Sequence, residues 1–439
     1  MKTRISLLIL FCALALGSAH AQSDRVTAFV GATVLPMDSD RMLTEHTVLV
    51  QGNRIIALGV DLEVPEGATV IDGTGKYLMP GLAEMHGHVP RPDEPAQYTE
   101  DVLFLYVANG ITTVRGMLGA PGQLELRARA NNSEIIAPTL YLAGPSFSGG
   151  SVDSPEQAVA KVHEQKAEGW NLLKVHPGLS RSEFDAMART AHEVGMRFGG
   201  HVPADVGLMH ALDMGLETFD HVDGYVQYLW ASDEPEEVAL AEAIRRTKEE
   251  GAWVVPTMAL WEAINGTIDI EDLRAYEELK YMPPNVVASW FDRVNRQLNN
   301  PNFDRAGALR LIETRMRVLS ALSREGVRIL MGTDAPQLFS VPGFSLHREL
   351  VRMVDAGMSP YDILVSGTRN VGEYFANEDL FGTIAPGSRA DLLLVTGNPI
   401  EDVEHLRELA GVMVRGNWIS RADLDTRLES IADSHRQAN

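Results

Sequence analysis

Cysteine is almost absent from this 439-residue sequence, with Cys12 as its single instance. That residue falls in a stretch that reads as an export leader over residues 1–21. Lys2 and Arg4 make a basic start, Ile5 to Leu16 an apolar run, and Ala19-His20-Ala21 a small-residue cleavage pattern ahead of Gln22. A lipoprotein reading would use Cys12, but Phe11 is bulky where a small residue belongs. Cleavage leaves a mature chain without a thiol, which excludes disulfides and sulfur ligands to a metal. The apolar run is shorter than the roughly 20 residues a membrane helix needs. The expected location is therefore periplasmic or extracellular, with no membrane attachment after cleavage.

Net positive charge is lacking as well. A formal charge of −22 argues against nucleic acid or an anionic membrane as partner. It agrees equally with plain solubility. Low-complexity segments and short repeats are also missing. What is present is a hydrophobic fraction of 45%, enough for a proper core, in a chain whose length suits a large barrel with a satellite domain.

The two ends are β-rich. Val26 to Leu35 and His46 to Leu58 read as strands, the latter folded at a Gly52-Asn53 turn; Ala390 to Val395 and a Gly416-Asn417 hairpin repeat the style near the far end. Residues 22–79 and 383–439 are thus expected to form one small β-sandwich domain. Between them, residues 80–382 alternate short strands with punctuated helices. Ser154-Pro155-Glu156-Gln157 and Ser180 with Glu183 are capping boxes, closed by Gly169 and Gly195. Helices are also expected over Pro203 to Gly215 and Arg305 to Gly326.

Eight strand candidates emerge: Tyr77 to His88, Thr112 to Arg115, Thr139 to Ala143, Asn171 to Val175, Arg197 to His201, Thr218 to His221, Trp253 to Pro256, and Arg328 to Gly332. Eight parallel strands close an α/β fold of the (β/α)8 TIM-type barrel class. A doubly wound sheet is the alternative, but it leaves unexplained why polar residues recur at the strand ends.

Those polar residues are His86, His88, Lys174, His201, His221 and Asp334. In a barrel, chemistry collects where strand C-termini meet their loops. His86 and His88 are two apart, so a strand projects both to one face, where they can grip one cation with Gly87 leaving room. A single buried histidine is more often a satisfied core residue. His201 and His221 on further strand ends make coincidence a poor account, and neutral imidazole suits zinc. Asp334 reads either as a turn aspartate or as a carboxylate that binds metal and takes a proton from its water. Lys174 reads as a substrate-binding or snorkelling lysine, or as a carbamate formed with carbon dioxide that bridges two metals. His176 shares its face and has a substrate role, a ligand role, or neither. Arg115, Tyr225, Tyr228 and His347 are candidate substrate contacts, each equally readable as structural.

The segments VIDGTGKYLMPGLAEMHGHV, ITTVRG, DHVDG, GTDA and GTIAPGSRADLLLVTGNP together resemble the amidohydrolase superfamily across essentially the whole mature chain. The resemblance is strongest to the group holding imidazolonepropionase-related proteins, Xaa-Pro dipeptidases and ochratoxin-type amidases. It implies two zinc ions, or another divalent metal. His86, His88 and Asp334 would hold the inner one, His201 and His221 the outer one, and carboxylated Lys174 would bridge them. A bridging hydroxide would attack the substrate carbonyl while Asp334 passes a proton to the leaving group. Imidazolonepropionase generally uses one metal and lacks the lysine, so Lys174 argues against that activity.

The expected activity is amide cleavage in dipeptides or N-acyl amino acids, releasing a C-terminal amino acid. Lactone or phosphotriester hydrolysis on the same site is one alternative, and a non-catalytic binding barrel another. The expected partner is a small amide or peptide, and a homo-oligomer is left open.

Overall fold

The computed structural model describes residues 25–91 and 93–437. The leader reading, with Cys12 and Gln22, lies outside them. Five strands come first: β1 (Val26–Val34), β2 (Leu43–Gln51), β3 (Arg54–Gly59), β4 (Thr69–Asp72) and β5 (Tyr77–Pro80). Eight follow in the middle: β6 (Leu82–Gly87), β7 (Ile111–Gly116), β8 (Thr139–Leu142), β9 (Leu172–Val175), β10 (Arg197–Gly200), β11 (Thr218–Asp220), β12 (Trp253–Val255) and β13 (Arg328–Ile329). The chain ends with β14 (Leu392–Val395), β15 (Leu409–Val414) and β16 (Asn417–Ser420), then the helix Arg421–Gln437.

The two β-rich ends form one mixed sheet in the order β16-β15-β14-β5-β1-β2-β3, with β4 pairing β1 on the same edge as β5, away from β2. The link between the ends is antiparallel pairing of β14 with β5, Leu394 opposite Leu78. Phe29, Val48, Leu78, Leu392 and Met413 pack into a core belonging to this sheet alone. The expected first barrel strand, Tyr77 to His88, is split at Gly81. Its first half joins the end sheet as β5 and its second half enters the middle as β6, because the Gly81 N–H turns to Asp391 O.

The middle strands are parallel and sit in two sheets, β6-β7-β8 and β9-β10-β11-β12-β13. Every residue of β7, β8, β9, β11 and β12 is buried, as strands covered on both faces must be. Parallel bridges from Ala143 to Leu172 and from Phe147 to Val175 join the β8 edge to β9. At the other edge the N–H of Met85 donates to Met331 O, and that of His88 to Ala335 O. The two sheets therefore meet along both pairs of edges.

The intervening helices follow their punctuation. Ser180 and Glu183 make a reciprocal capping box, and Gly195 caps the far end in left-handed backbone. Ser154 caps Gln157 N, but the Gln157 side chain accepts from Asp153 N, so the second half of that box shifts by one residue. The helix expected from Pro203 to Gly215 shrinks to Leu208–Asp213, since Gly207 precedes it at a φ of 74°. The C-terminal helix is additional to the sequence reading; it buries Leu424, Leu428 and Ile431. Among the described residues no helix is long and apolar enough to cross a membrane.

Candidate metal centre

The parallel strands deliver six expected side chains to one place. His86 is the penultimate residue of β6 with His88 just beyond the strand, Lys174 is in β9, and His201 and His221 directly follow β10 and β11. Imidazole centroids lie 5.8 Å apart for His86 and His88, 4.4 Å for His86 and His221, and 4.5 Å for His201 and His221. Asp334 completes the group. Its Oδ1 is 2.5 Å from His88 Nε2 and 3.6 Å from His86 Nε2, and its Oδ2 is 3.7 Å from His221 Nε2. Lys174 Nζ lies 3.1 Å from His86 Nε2 and 3.7 Å from Asp220 Oδ2. His176 joins at the edge, 5.0 Å from the His201 ring.

The backbone here is costly to build. His221, Val222, Thr257 and Asp334 all adopt left-handed φ, between 47° and 65°. Such residues cost on the order of 1–3 kcal/mol each and persist only where their surroundings fix them.

Three of the histidines are held from behind. His221 Nδ1 bonds Thr257 Oγ1 at 2.7 Å, which leaves its buried Nε2 facing the group with no hydrogen-bond partner. His201 Nδ1 bonds Asp223 Oδ2 at 2.7 Å. Arg315 in turn holds Asp223 and the His221 carbonyl, with its guanidinium over the Trp261 ring. His86 Nδ1 sits 2.7 Å from Asp220 Oδ2, off the axis of a hydrogen bond. Asp220 is itself clamped by Arg115.

The electrostatics favour lone pairs over protons. His86 and His221 are held well below the ordinary imidazole value, first by burial and then by the positive charge of their neighbours. Burial also brings the Lys174 amine down to about 8, against the pull of Asp220 and Asp334. His86, His88 and Asp334 each offer an atom within 4.8 Å of the others, a separation that one cation can span. An unpartnered buried nitrogen on His221, neutral imidazoles and a carboxylate together fit a divalent metal.

Three expected substrate contacts are corrected. Arg115 is fully buried below the site, bonded to Met85 O, Thr218, Tyr374 and Asp220. Tyr225 is buried and spends its hydroxyl on Thr247. Tyr228, on the same helix, is half-buried against the main core, which does not bear on its expected role. His347 is buried on the helix Phe344–Asp355 and turns to Asn109, away from the cluster. The residues that sequence reasoning missed are Glu84, Asp220, Asp223, Thr257 and Arg315. Three of these are carboxylates within two positions of a histidine ligand candidate, in EMHGH and DHVD, and that proximity was the available signal.

A parallel α/β architecture with histidines, a lysine and an aspartate at its strand ends makes a candidate metal centre. The sequence matches the model of the amidohydrolase family over residues 77–419, and the chain belongs to that family. It is 24% identical over 425 residues to an adenine deaminase of Rubrobacter xylanophilus, covering 93% of this chain and 60% of that protein. It is 22% identical over 462 residues to ochratoxinase of Aspergillus niger, covering 89% and 85%. Among solved structures, a Xaa-Pro dipeptidase with bound methionine in its active site superposes with a TM-score of 0.70 at 21% identity, covering 90% of this chain and all of that one. These relatives are hydrolases acting on carbon–nitrogen bonds.

Proposed function

We propose that this protein is an exported, metal-dependent amidohydrolase that cleaves an amide bond in dipeptides or N-acyl amino acids and releases a C-terminal amino acid. The observation that carries the metal reading is the convergence of His221 Nε2, buried and unpartnered, with His86, His88, Lys174 and Asp334. Likeness to proteins named as a dipeptidase and an ochratoxinase supports the substrate class. The bonds along both pairs of sheet edges support a closed (β/α)8 barrel over 80–382. The core private to the end sheet supports a sandwich domain from 22–79 and 383–439. The leader pattern supports export to the periplasm or beyond, and the acidity supports a small-molecule partner over nucleic acid.

His86, His88 and Asp334 would hold one zinc ion and His201 and His221 a second, with Lys174 between them. A divalent metal there supplies Lewis acidity, generating a nucleophile from water at neutral pH and polarising the carbonyl. Lys174 in its neutral form can add carbon dioxide, forming an N–C bond and losing a proton, to give a two-oxygen anion. Asp334 takes a proton from the attacking water and passes it to the leaving amine. His176 borders the site and is positioned to meet substrate.

Purified protein assayed on a panel of dipeptides and N-acyl amino acids is expected to release free amino acids, to stop on chelation and to recover with Zn2+. Turnover of lactones or phosphotriesters with every amide untouched would overturn the substrate reading; no metal and no turnover after reloading would leave a binding barrel. Thr257→Val, which frees the His221 ring, is expected to weaken Zn2+ binding about 10–100-fold. Equal affinities in a chelator competition would assign that orientation to the backbone alone.

A further inference from the structure

The seam between β6 and the segment after β13 contains a carboxyl group that the chemistry above does not use. Glu84 is completely buried, and among the described residues it has no ion pair. Its Oε1 accepts from two backbone N–H groups, that of His86 at 3.0 Å and that of Thr333 at 2.8 Å. Its Oε2 accepts from the Thr333 hydroxyl at 2.5 Å, and the Ser345 hydroxyl donates to Thr333 in turn at 2.9 Å.

The position of these bonds is informative. The strands are already tied on either side, by Met85 N to Met331 O below and His88 N to Ala335 O above. Between the two ties the seam splays. The N–H groups of His86 and Thr333 then have no carbonyl opposite, and one carboxylate serves both. Buried backbone donors need such a partner, and the Glu84 carboxyl supplies it. Two glycines clear the space. A Cβ on Gly87 would fall 2.8 Å from Glu84 Cγ, and one on Gly332 would fall 3.1 Å from Glu84 Oε1 and 2.9 Å from His86 N. The room provided by Gly87 is therefore for Glu84, not chiefly between the two histidines. The pairing of β6 with β7 shifts register between Glu84 and Gly87, so the alternation of faces breaks there; Glu84 lies beside Val114 and Tyr106 and reaches His86 through its backbone N–H.

We propose that Glu84 is a positioning residue for the inner cation. By gripping the main chain at His86 and at Thr333, the neighbour of Asp334, it fixes the separation of the two ligands that flank the seam. The inference rests on the reading of His86 and Asp334 as ligands of one metal.

The test uses the metal-stripped full chain titrated with Co2+, reading the visible absorption band and the dissociation constant by chelator competition. Glu84→Gln keeps the volume but loses one acceptor, and is expected to weaken binding about 10–100-fold and to shift the band. Thr333→Val removes only the hydroxyl and is expected to give a smaller loss in the same direction, with an unchanged circular dichroism spectrum. A melting temperature lowered with Co2+ affinity and band unmoved in both variants would reduce the clasp to a fold element and overturn the proposal. Should Glu84→Gln fail to fold, the Thr333→Val result decides alone. His86→Ala separates the two layers of inference. If it abolishes the band while the clasp variants do nothing, the clasp fails and the metal reading stands; if it too binds Co2+ normally, both fall.

Discussion

Asp334→Asn is expected to lower kcat for amide substrates by about 10²–10⁴-fold, the range associated with loss of a positioned acid–base group. Among the described residues Asp334 is the one carboxylate within 4 Å of three ring nitrogens, those of His86, His88 and His221. Asparagine keeps its size and tolerates the left-handed backbone found there, at a φ of 63°. What it loses is the charge and the ability to take up a proton. Metal content measured beside kcat separates the two contributions. A variant retaining a third or more of wild-type turnover would remove Asp334 from the mechanism.

Arg115→Met should produce the largest loss of stability, about 3–5 kcal/mol, because it leaves Asp220 as a buried charge with its main partner gone. Both side chains are 0% exposed, and the guanidinium makes two contacts to the carboxylate, at 3.1 and 3.3 Å. It also holds Met85 O, one residue before His86. Adding Asp220→Leu removes the orphaned charge and is expected to restore part of the loss. The check is the urea midpoint of each variant. A single-variant loss under about 1 kcal/mol would mean that water or Lys174 already compensates Asp220.

The ligand candidates were legible because a parallel strand order puts C-terminal residues together, so a recurring pattern along the chain becomes a cluster in space. His86, Lys174, His201, His221 and Asp334 needed only that rule. The groups behind them did not follow from it. Thr257 orients His221 from a different strand end, and Arg315 reaches the His221 carbonyl from a helix 94 residues further on. Neither partnership has a spacing to read. One tyrosine failed for the opposite reason. Tyr225 follows His221 closely, but the helix it opens turns that residue against Phe219 and Thr247 in the core. Arg115 was judged by its place near a strand end, but its guanidinium is taken up by Met85 O, Thr218, Tyr374 and Asp220, partners with no spacing to read. The splitting of the Tyr77 to His88 segment depended on Asp391, which only tertiary pairing brings near.

The pairing of β14 with β5 also fixes an order of assembly. Leu394 meets Leu78 across more than 300 intervening residues, so β5 waits with an unpaired edge until nearly the whole chain has been made. During that interval the exposed edge is a template for other chains. A truncation before Leu392 leaves it open permanently. Such products should aggregate even when every candidate ligand, all of them earlier in the chain, is intact.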